Sequence, residues 1–526
     1  MTEHAAQRHT TEPNYVLHVL DFFARMGSAE AIVQGERRYT YAETRAAVLA
    51  MATALTARGV RGDMTAVAVT RNHPESIILL LALHLLGCRA GFVAADAPRE
   101  DQRDFIEQAG ADVLIHDSGV ADELIGDVLA RAEPLVLGLG PVEGRPDLLA
   151  EMVVAAAGSQ ANGEGAGGDR ADHEPQSLFH TAGTTGPPKL VRHGQRFYQA
   201  LYLRGQFNRA SGEPGMRHLG IFPFASTSGQ VPALLALFGG GTAVLMTQFR
   251  AAQWLAAIER ERVTSTLLSP PRLREVLAEP ALAQADVTSL RRLNCGCGAT
   301  PVTDLVQAIE RFGPVLRVVY GMTEVPLIAD YPGMDLDPAH PERLRSCGKA
   351  YANNKIEIRG GEAAVLPAGQ TGTIWVAGPL IMDGYEGQPE LTSRILVGGW
   401  LCTEDLGYTD PDGYLYLVDR AEDVINTGEP PVRVYSVMVE DVLTGHPGVR
   451  AAAVIGVPDT QLGEAVVAFV VRATGTGATA EELHDLVAGE LTETHAPREV
   501  RFVAELPMTP ADKVDKKALR ARYHYG

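Results

Sequence analysis

HTAGTTGPPKLVRH, residues 180–193, sets two glycines, three threonines and one lysine in a short run. The preceding SLFH reads as a strand, and glycines after a strand let backbone N–H groups close on an anion. Thr181, Thr184 and Thr185 add hydroxyl donors, and Lys189 adds a point charge. The spacing differs from that of P-loop NTPases, which need G-x-x-x-x-G-K followed by Ser or Thr. Here two prolines separate Gly186 from Lys189, and Leu190 follows. Taken alone, the run fits a turn-rich surface loop as well as a phosphate grip.

Upstream, helical patterns alternate with short β-branched runs. TYAETRAAVLAMATALTARGV is helical by spacing, MTAVAV, AGFVAA and DVLIHD read as strands, and IILLLALHLLG reads as a helix. Such alternation predicts an α/β fold, a doubly wound sheet with helices on both faces. The small, polar, Gly-rich AAAGSQANGEGAGGDRADHEPQ (155–176) reads as a flexible connection just before the quoted stretch. From about residue 345, NKIEIRG, GTIWVAG and YLYLVDR, separated by PAGQTG and DPDGY turns, predict antiparallel strands and hairpins. After Arg420, helical VYSVMVEDVLTGHPG, strands RAAAVIGVPD and EAVVAFVVRA, and helical TAEELHDLVAGEL predict a small α+β unit.

At 526 residues the chain exceeds one core, so two or three domains are expected. The net charge of -19, from 46 basic and 65 acidic residues, excludes the basic face of a nucleic-acid binder. Five cysteines are too few and too odd in number for a disulfide framework, and a cytoplasmic location is expected. Cys295 and Cys297 lack a second ligand pair and read as small buried hydrophobes rather than a metal site. The opening MTEHAAQRHTTEPNYVLHVLDFF is polar before it turns amphipathic, so no signal peptide is expected there. The longest apolar run, SIILLLALHLLGC (76–88), is far short of the ~20 residues of a membrane span and reads as a buried helix.

Further motifs bear on the phosphate question. YGMTE (320–324) follows the strand-like LRVV, as a strand delivering residues to a cleft would. Thr323 offers a hydroxyl to a phosphate oxygen, and Glu324 is a hard ligand suited to Mg2+. GGWLCTEDLGYTDPDGYLYLVDR places Asp405 and Arg420 around a turn, and a carboxylate can bind both hydroxyls of a ribose. PMTPADKVDKKALR, near the C-terminus, offers Lys513.

In this order the stretches resemble the adenylate-forming superfamily: acyl-CoA synthetases, adenylation domains of peptide synthetases and luciferases. TAGTTGPPK matches its phosphate loop with Ala182 as a mild variant, YGMTE its second signature, and CGATP (297–301) the loop lining the adenine. DGYEGQPELT, the TED segment and TPADKVDKKALR match the approach to the hinge and the terminal lysine motif. The resemblance implies a large N-terminal domain over 1–420, of doubly wound α/β subdomains plus a β-rich part at about 345–420. A small mobile α+β C-terminal domain would cover 421–526.

Members of the superfamily join a carboxylate to ATP, release pyrophosphate and leave an acyl-adenylate. Positive charge and N–H donors at the phosphates do that work. By carry-over, Thr181, Ala182, Gly183, Thr184, Thr185, Gly186 and Lys189 hold the β- and γ-phosphates. Thr323 touches the α-phosphate, Glu324 ligates Mg2+, and Asp405 and Arg420 hold the ribose. Gly298, Ala299, Thr300, Tyr320, Gly321 and Met322 complete the nucleotide site, and Lys513 bridges carboxylate and α-phosphate. Phe224, Ala225, Ser226, Gly296 and Met322 fall at the acyl pocket. The hinge, two residues after the motif arginine, is Glu422. Against these roles stand plainer readings: Lys513 as a solvated lysine among Lys516, Lys517 and Arg520, and Arg420 as a surface partner of Asp423.

Several positions depart from the pattern. Glu404 replaces the glycine of TGD, and Asp512 the glycine before the terminal lysine. CoA-forming relatives often carry NSGGENIYPAEVE where this chain has NTGEPPVRVYSVMVE (426–440), stiffened by Pro430 and Pro431. PFASTSG (223–229) stands where P-L-F-H-x-x-G is usual, so Ala225 and Ser226 should widen the acyl pocket for a bulky aryl or extended acid.

The expected activity is an AMP-forming acid ligase that passes the acyl group to a thiol, that of CoA first. The alternatives are an amide synthetase using a free amine and an enzyme loading a carrier-protein thiol. Outside catalysis, a binding relative is opposed by the retained Lys189, Glu324, Asp405 and Lys513, and a light-emitting oxidase has no specific support. Expected partners are ATP, Mg2+, a small carboxylic acid and the acceptor, with the chain a monomer or homodimer.

Overall fold

In the computed structural model every residue of the strand Thr65–Thr70 is buried, as its uncharged TAVAVT run requires of a strand covered on both faces. The structure describes residues 13–120, 122–162, 173–181, 189–212, 215–337, 339–340, 343–428, 432–473, 477–509 and 513–525. Around Thr65–Thr70 lies a seven-stranded sheet in the order Gly384–Tyr385, Leu190–Gly194, Gln176–His180, Arg89–Ala94, Thr65–Thr70, Val113–Asp117 and Leu135–Leu139. The last five run parallel, while Leu190–Gly194 returns antiparallel beside Gln176–His180. The apolar run near residue 80 forms the helix Pro74–Leu85, buried from Pro74 to His84, with Pro74 in the first turn where no N–H is missed. The helix Tyr41–Ala57 starts on a capping box in which Thr40 and Glu43 satisfy each other's backbone N–H groups.

The second sheet has fourteen strands and changes character midway. Leu316–Met322, Arg292–Cys295, Ser265–Leu268, Arg217–Gly220, Thr242–Leu245 and Glu30–Gln34 are neighbours and parallel. On the other side of Leu316–Met322 the antiparallel strands Val325–Tyr331, Ser346–Ala350, Leu415–Arg420, Trp400–Thr409, Gly372–Ala377 and Lys355–Arg359 follow in order. The β-rich part therefore extends this sheet. The reversal occurs at a two-residue turn, Thr323 and Glu324, between Met322 and its partner Val325.

A third, five-stranded sheet is built after Ile425, centred on the antiparallel pair Val449–Asp459 and Gly463–Arg472. It carries the helices Ser436–Thr444, Ala480–Glu490 and Lys516–Tyr525. Two expectations shift. The expected helix at VYSVMVEDV begins only at Ser436, because Val432–Val434 pairs with Ile425–Thr427. The helix Leu148–Asn162 runs into the segment expected to be a linker, since its Met-, Val- and Ala-rich start favours helix. Residues 163–172 of that segment lie outside the described residues. Among the described residues no helix is long and apolar enough to cross a membrane.

Candidate active site

The Thr323–Glu324 turn is held from behind by the first sheet. His193 Nε2 donates to the Thr323 carbonyl at 2.8 Å. Burial pulls the His193 imidazole down to about 4, so it is neutral at pH 7 and donates through one nitrogen only. Met382 N donates to the Glu324 carbonyl at 2.9 Å, and the Tyr385 hydroxyl donates to Glu324 Oε1 at 2.7 Å. Tyr385 itself pairs with Val191, so two signatures far apart in sequence meet through sheet pairing. Gly321 is required here: a Cβ would lie 2.1 Å from the Pro326 carbonyl oxygen across the hairpin.

The ends of the glycine-rich loop are clamped together. Thr181 N donates to the Lys189 carbonyl at 2.9 Å, and Lys189 N donates back to Thr181 Oγ1 at 3.0 Å. Ala182, Gly183, Thr184, Thr185 and Gly186 lie outside the described residues. The Lys189 ammonium stands over the Tyr385 ring, 5.1 Å from its centre. Lys189, Glu324 and Tyr385 thus converge on one point.

Asp405 and Arg420 are direct partners across adjacent strands. Arg420 Nε lies 3.4 Å from Asp405 Oδ1, and the Tyr320 hydroxyl donates to Asp405 Oδ2 at 2.5 Å. Burial, then the Asp405 charge, raises the Tyr320 phenol far above its ordinary value, so it remains a donor. Arg420 also comes within 3.9 Å of Glu422, while Asp423 is taken by Arg520 at 2.6 Å.

Thr509 N donates to the Lys513 carbonyl at 2.7 Å, and Lys513 N donates back to Thr509 Oγ1 at 3.2 Å. The half-buried Lys513 side chain lines the cleft together with Glu324, Asp405 and Arg420. Burial, then the Arg420 guanidinium, lowers its pKa, and Asp405 and Glu324 oppose that shift. Lys516, three residues on, is no solvated neighbour. It donates to Ser436 Oγ at 2.6 Å and pairs with Glu440 at 2.8 Å. Asp419 accepts from the N–H and hydroxyl of Ser436 at 2.5 and 2.8 Å, joining the second sheet to the first helix of the third.

Two cavities, of about 1050 and 540 Å3, meet at Cys297, Gly321, Met322, Asp405, Arg420, Glu422 and Lys513. The larger is walled by Gly298, Ala299, Thr300 and Tyr320, with Thr300 Oγ1 3.1 Å from Cys295 Sγ. The smaller is lined by Thr181, Lys189, Thr323 and Glu324 and also by Phe92, Phe105, Phe222, Ala225 and Ser226. Of the residues expected at the acyl pocket, Ala225, Ser226 and Met322 line it. Phe224 does not: its ring packs in the core against Phe92, 5.4 Å between centres. Gly296 stands behind the wall, where a Cβ would meet Val319 at 2.6 Å. Ser226 caps the helix Thr227–Phe238, accepting from Gly229 N at 3.1 Å. The five cysteines form no disulfide among the described residues, and Cys297 lines both cavities.

Position in DGYEGQPELT and KLVRH gives Tyr385 and His193 no role in the sequence; sheet pairing reveals that they hold Glu324 and Thr323.

Comparison with known proteins agrees with this geometry. The chain matches the AMP-binding enzyme family over residues 21–386 and the AMP-binding enzyme C-terminal domain over residues 438–513. It is 33% identical to a feruloyl-CoA synthase from Amycolatopsis sp over 510 residues, 95% of this chain and 97% of the relative. It superimposes on the amide bond synthetase McbA from Marinactinospora thermotolerans with a TM-score of 0.85 and 34% identity, covering 97% of this chain and 100% of that one. It is also similar to o-succinylbenzoate coenzyme A synthetase from Bacillus subtilis in complex with ATP and magnesium ion. There the TM-score is 0.81, with 26% identity over 97% of this chain and 99% of that one. The chain belongs to the adenylate-forming superfamily of AMP-binding enzymes, as an AMP-forming acid ligase.

Proposed function

We propose that this ligase activates an aromatic carboxylic acid as its acyl-adenylate and delivers the acyl group to an amine. The observation that carries the first step is the entry of Lys513 into the cleft beside Glu324, Asp405 and Arg420. An anionic carboxylate must approach the anionic α-phosphate, and an ammonium between them lowers that repulsion most where water is excluded. The carboxylate oxygen bonds to the α-phosphorus, the bond to pyrophosphate breaks, and pyrophosphate leaves. Thr323 holds the α-phosphate, and Lys189 with the loop from Thr181 holds the departing phosphates. Gly298, Ala299, Thr300 and Tyr320 face the adenine, and Asp405 with Arg420 the ribose.

Glu324 suits Mg2+, as a hard carboxylate with Oε2 left without a hydrogen bond among the described residues. Bound there, the ion would offset phosphate charge. The segment from Ala421 onward is the moving unit, turning about Glu422. The rings of Phe92, Phe105 and Phe222 with the small Ala225 favour a flat aryl acid, and feruloyl-CoA synthase is a relative of that kind. In the second step the amine nitrogen bonds to the acyl carbon, the carbon–oxygen bond to AMP breaks, and the amine proton passes to solvent. Likeness to McbA over its whole length favours the amine. The thiol of CoA is the second reading, favoured by feruloyl-CoA synthase.

Acid-dependent pyrophosphate release and hydroxamate formation with hydroxylamine test the first step. Mass spectrometry after adding an amine or CoA tests the second. Thioester without amide would replace the amine by CoA.

A further inference from the structure

Glu404 holds a conformation that its residue type disfavours. It lies between Thr403 and Asp405 in the strand Trp400–Thr409 with φ of 61°, in the left-handed region. Its carbonyl accepts from Ala421 N at 3.1 Å, which ties it to the start of the moving segment. Glycine would meet this backbone demand without strain. A strained residue persists at a site where its side chain supplies something glycine lacks. The Glu404 side chain is exposed and stands on the wall of the smaller cavity, with Tyr385, Arg394, Glu422 and Lys513. Unlike Asp405, which Tyr320 and Arg420 engage, the Glu404 carboxylate makes no ion pair among the described residues.

We propose that Glu404 selects the acyl acceptor by binding the ammonium group of an aliphatic amine as it enters the cleft. This rests on the amine reading above. A carboxylate on this wall attracts a monocation and repels the polyanionic CoA, so one side chain favours nitrogen over sulfur. The bound ammonium gives its proton to solvent water before attack. The free amine then bonds to the acyl carbon as the carbon–oxygen bond to AMP breaks. Glu404 positions the amine, and Lys513 serves the adenylation step.

The test uses the full-length enzyme with saturating acid and ATP at pH 7.5, with KM measured for an alkylamine, for aniline and for CoA. Aniline, neutral at this pH, reports on any general disturbance. Glu404→Gln keeps the shape and removes the charge. Its KM for the alkylamine is expected to rise about tenfold, as loss of a charge-assisted contact implies, with the aniline KM moving less than twofold. Glu404→Gly should show the same loss with a higher Tm, because the backbone strain is relieved. Thioester formation from CoA should increase in both variants. Alkylamine and aniline KM values that move together in Glu404→Gln, or an unchanged alkylamine KM, would overturn the proposal. Failure of the wild type to form any amide, with pyrophosphate release intact, would instead overturn the amine reading beneath it.

Discussion

The Tyr320 hydroxyl donates to the Asp405 carboxylate at 2.5 Å, linking the YGMTE hairpin to the strand Trp400–Thr409, whose neighbour carries Arg420. The bond orients Asp405 while Arg420 approaches its other oxygen. In Tyr320→Phe the ring remains and the orienting bond is lost. The expected result is a KM for ATP raised about three- to tenfold and a stability loss of about 1 kcal/mol. Pyrophosphate-release kinetics and denaturant titration check both.

Lys513 and Lys516 are expected to fail in opposite ways. Lys513→Ala should cut acyl-adenylate formation by about 100- to 1000-fold, as loss of one charge-stabilising donor does, without lowering Tm. Lys516→Ala leaves the half-buried Glu440 and the buried Asp419 without this cation, and should cost about 2 to 3 kcal/mol. Hydroxamate assays and thermal melts on both variants separate the roles. A stable but inactive Lys516→Ala would reverse the assignment.

His73 gives the fold a defined pH response. Its Nε2 lies 2.8 Å from Asp117 Oδ1 and its Nδ1 3.2 Å from Glu75 Oε2. Burial works against the charge, but the two carboxylates outweigh it and raise the imidazole from about 6.5 to about 9. A raised folded pKa contributes stability that is complete below pH 6.5 and is lost as pH climbs through 9. The stability gap between wild type and His73→Gln should therefore be largest near pH 6, at most about 3 kcal/mol, and shrink towards pH 9.5. Urea titrations across this range check the slope.

Ser226 is expected to matter for stability and for acid size. Ser226→Ala removes the cap of the helix Thr227–Phe238 and should cost about 1 kcal/mol. Ser226→His should fill part of the cavity and raise KM for bulky aryl acids more than for small ones. A panel of acids of graded size, read by pyrophosphate release, checks this.

The family was legible in the sequence through its ordered motifs, and the α/β architecture through local spacing. A strand needs an apolar run, a hairpin needs Gly321, and an adenylating cleft needs its lysines and carboxylates at set positions. Phe224 turns into the core against Phe92, which alternation along a loop does not foretell. Lys513 and Lys516 look alike in a charged tail. Only packing places one in the cleft and the other between Ser436 and Glu440.

By itself the sequence determined which chemistry the chain can perform, since that depends on which groups are present and in what order. The tertiary structure decided which groups meet: Tyr385 with Glu324, His193 with Thr323, and Tyr320 with Asp405. These contacts join segments from 61 to 130 residues apart through sheet pairing, and pairing between distant strands leaves no periodic trace in either strand alone. The left-handed backbone at Glu404 is of the same kind. The substitution for glycine is visible in the chain, but its strain exists only where Trp400–Thr409 is fixed between its neighbours.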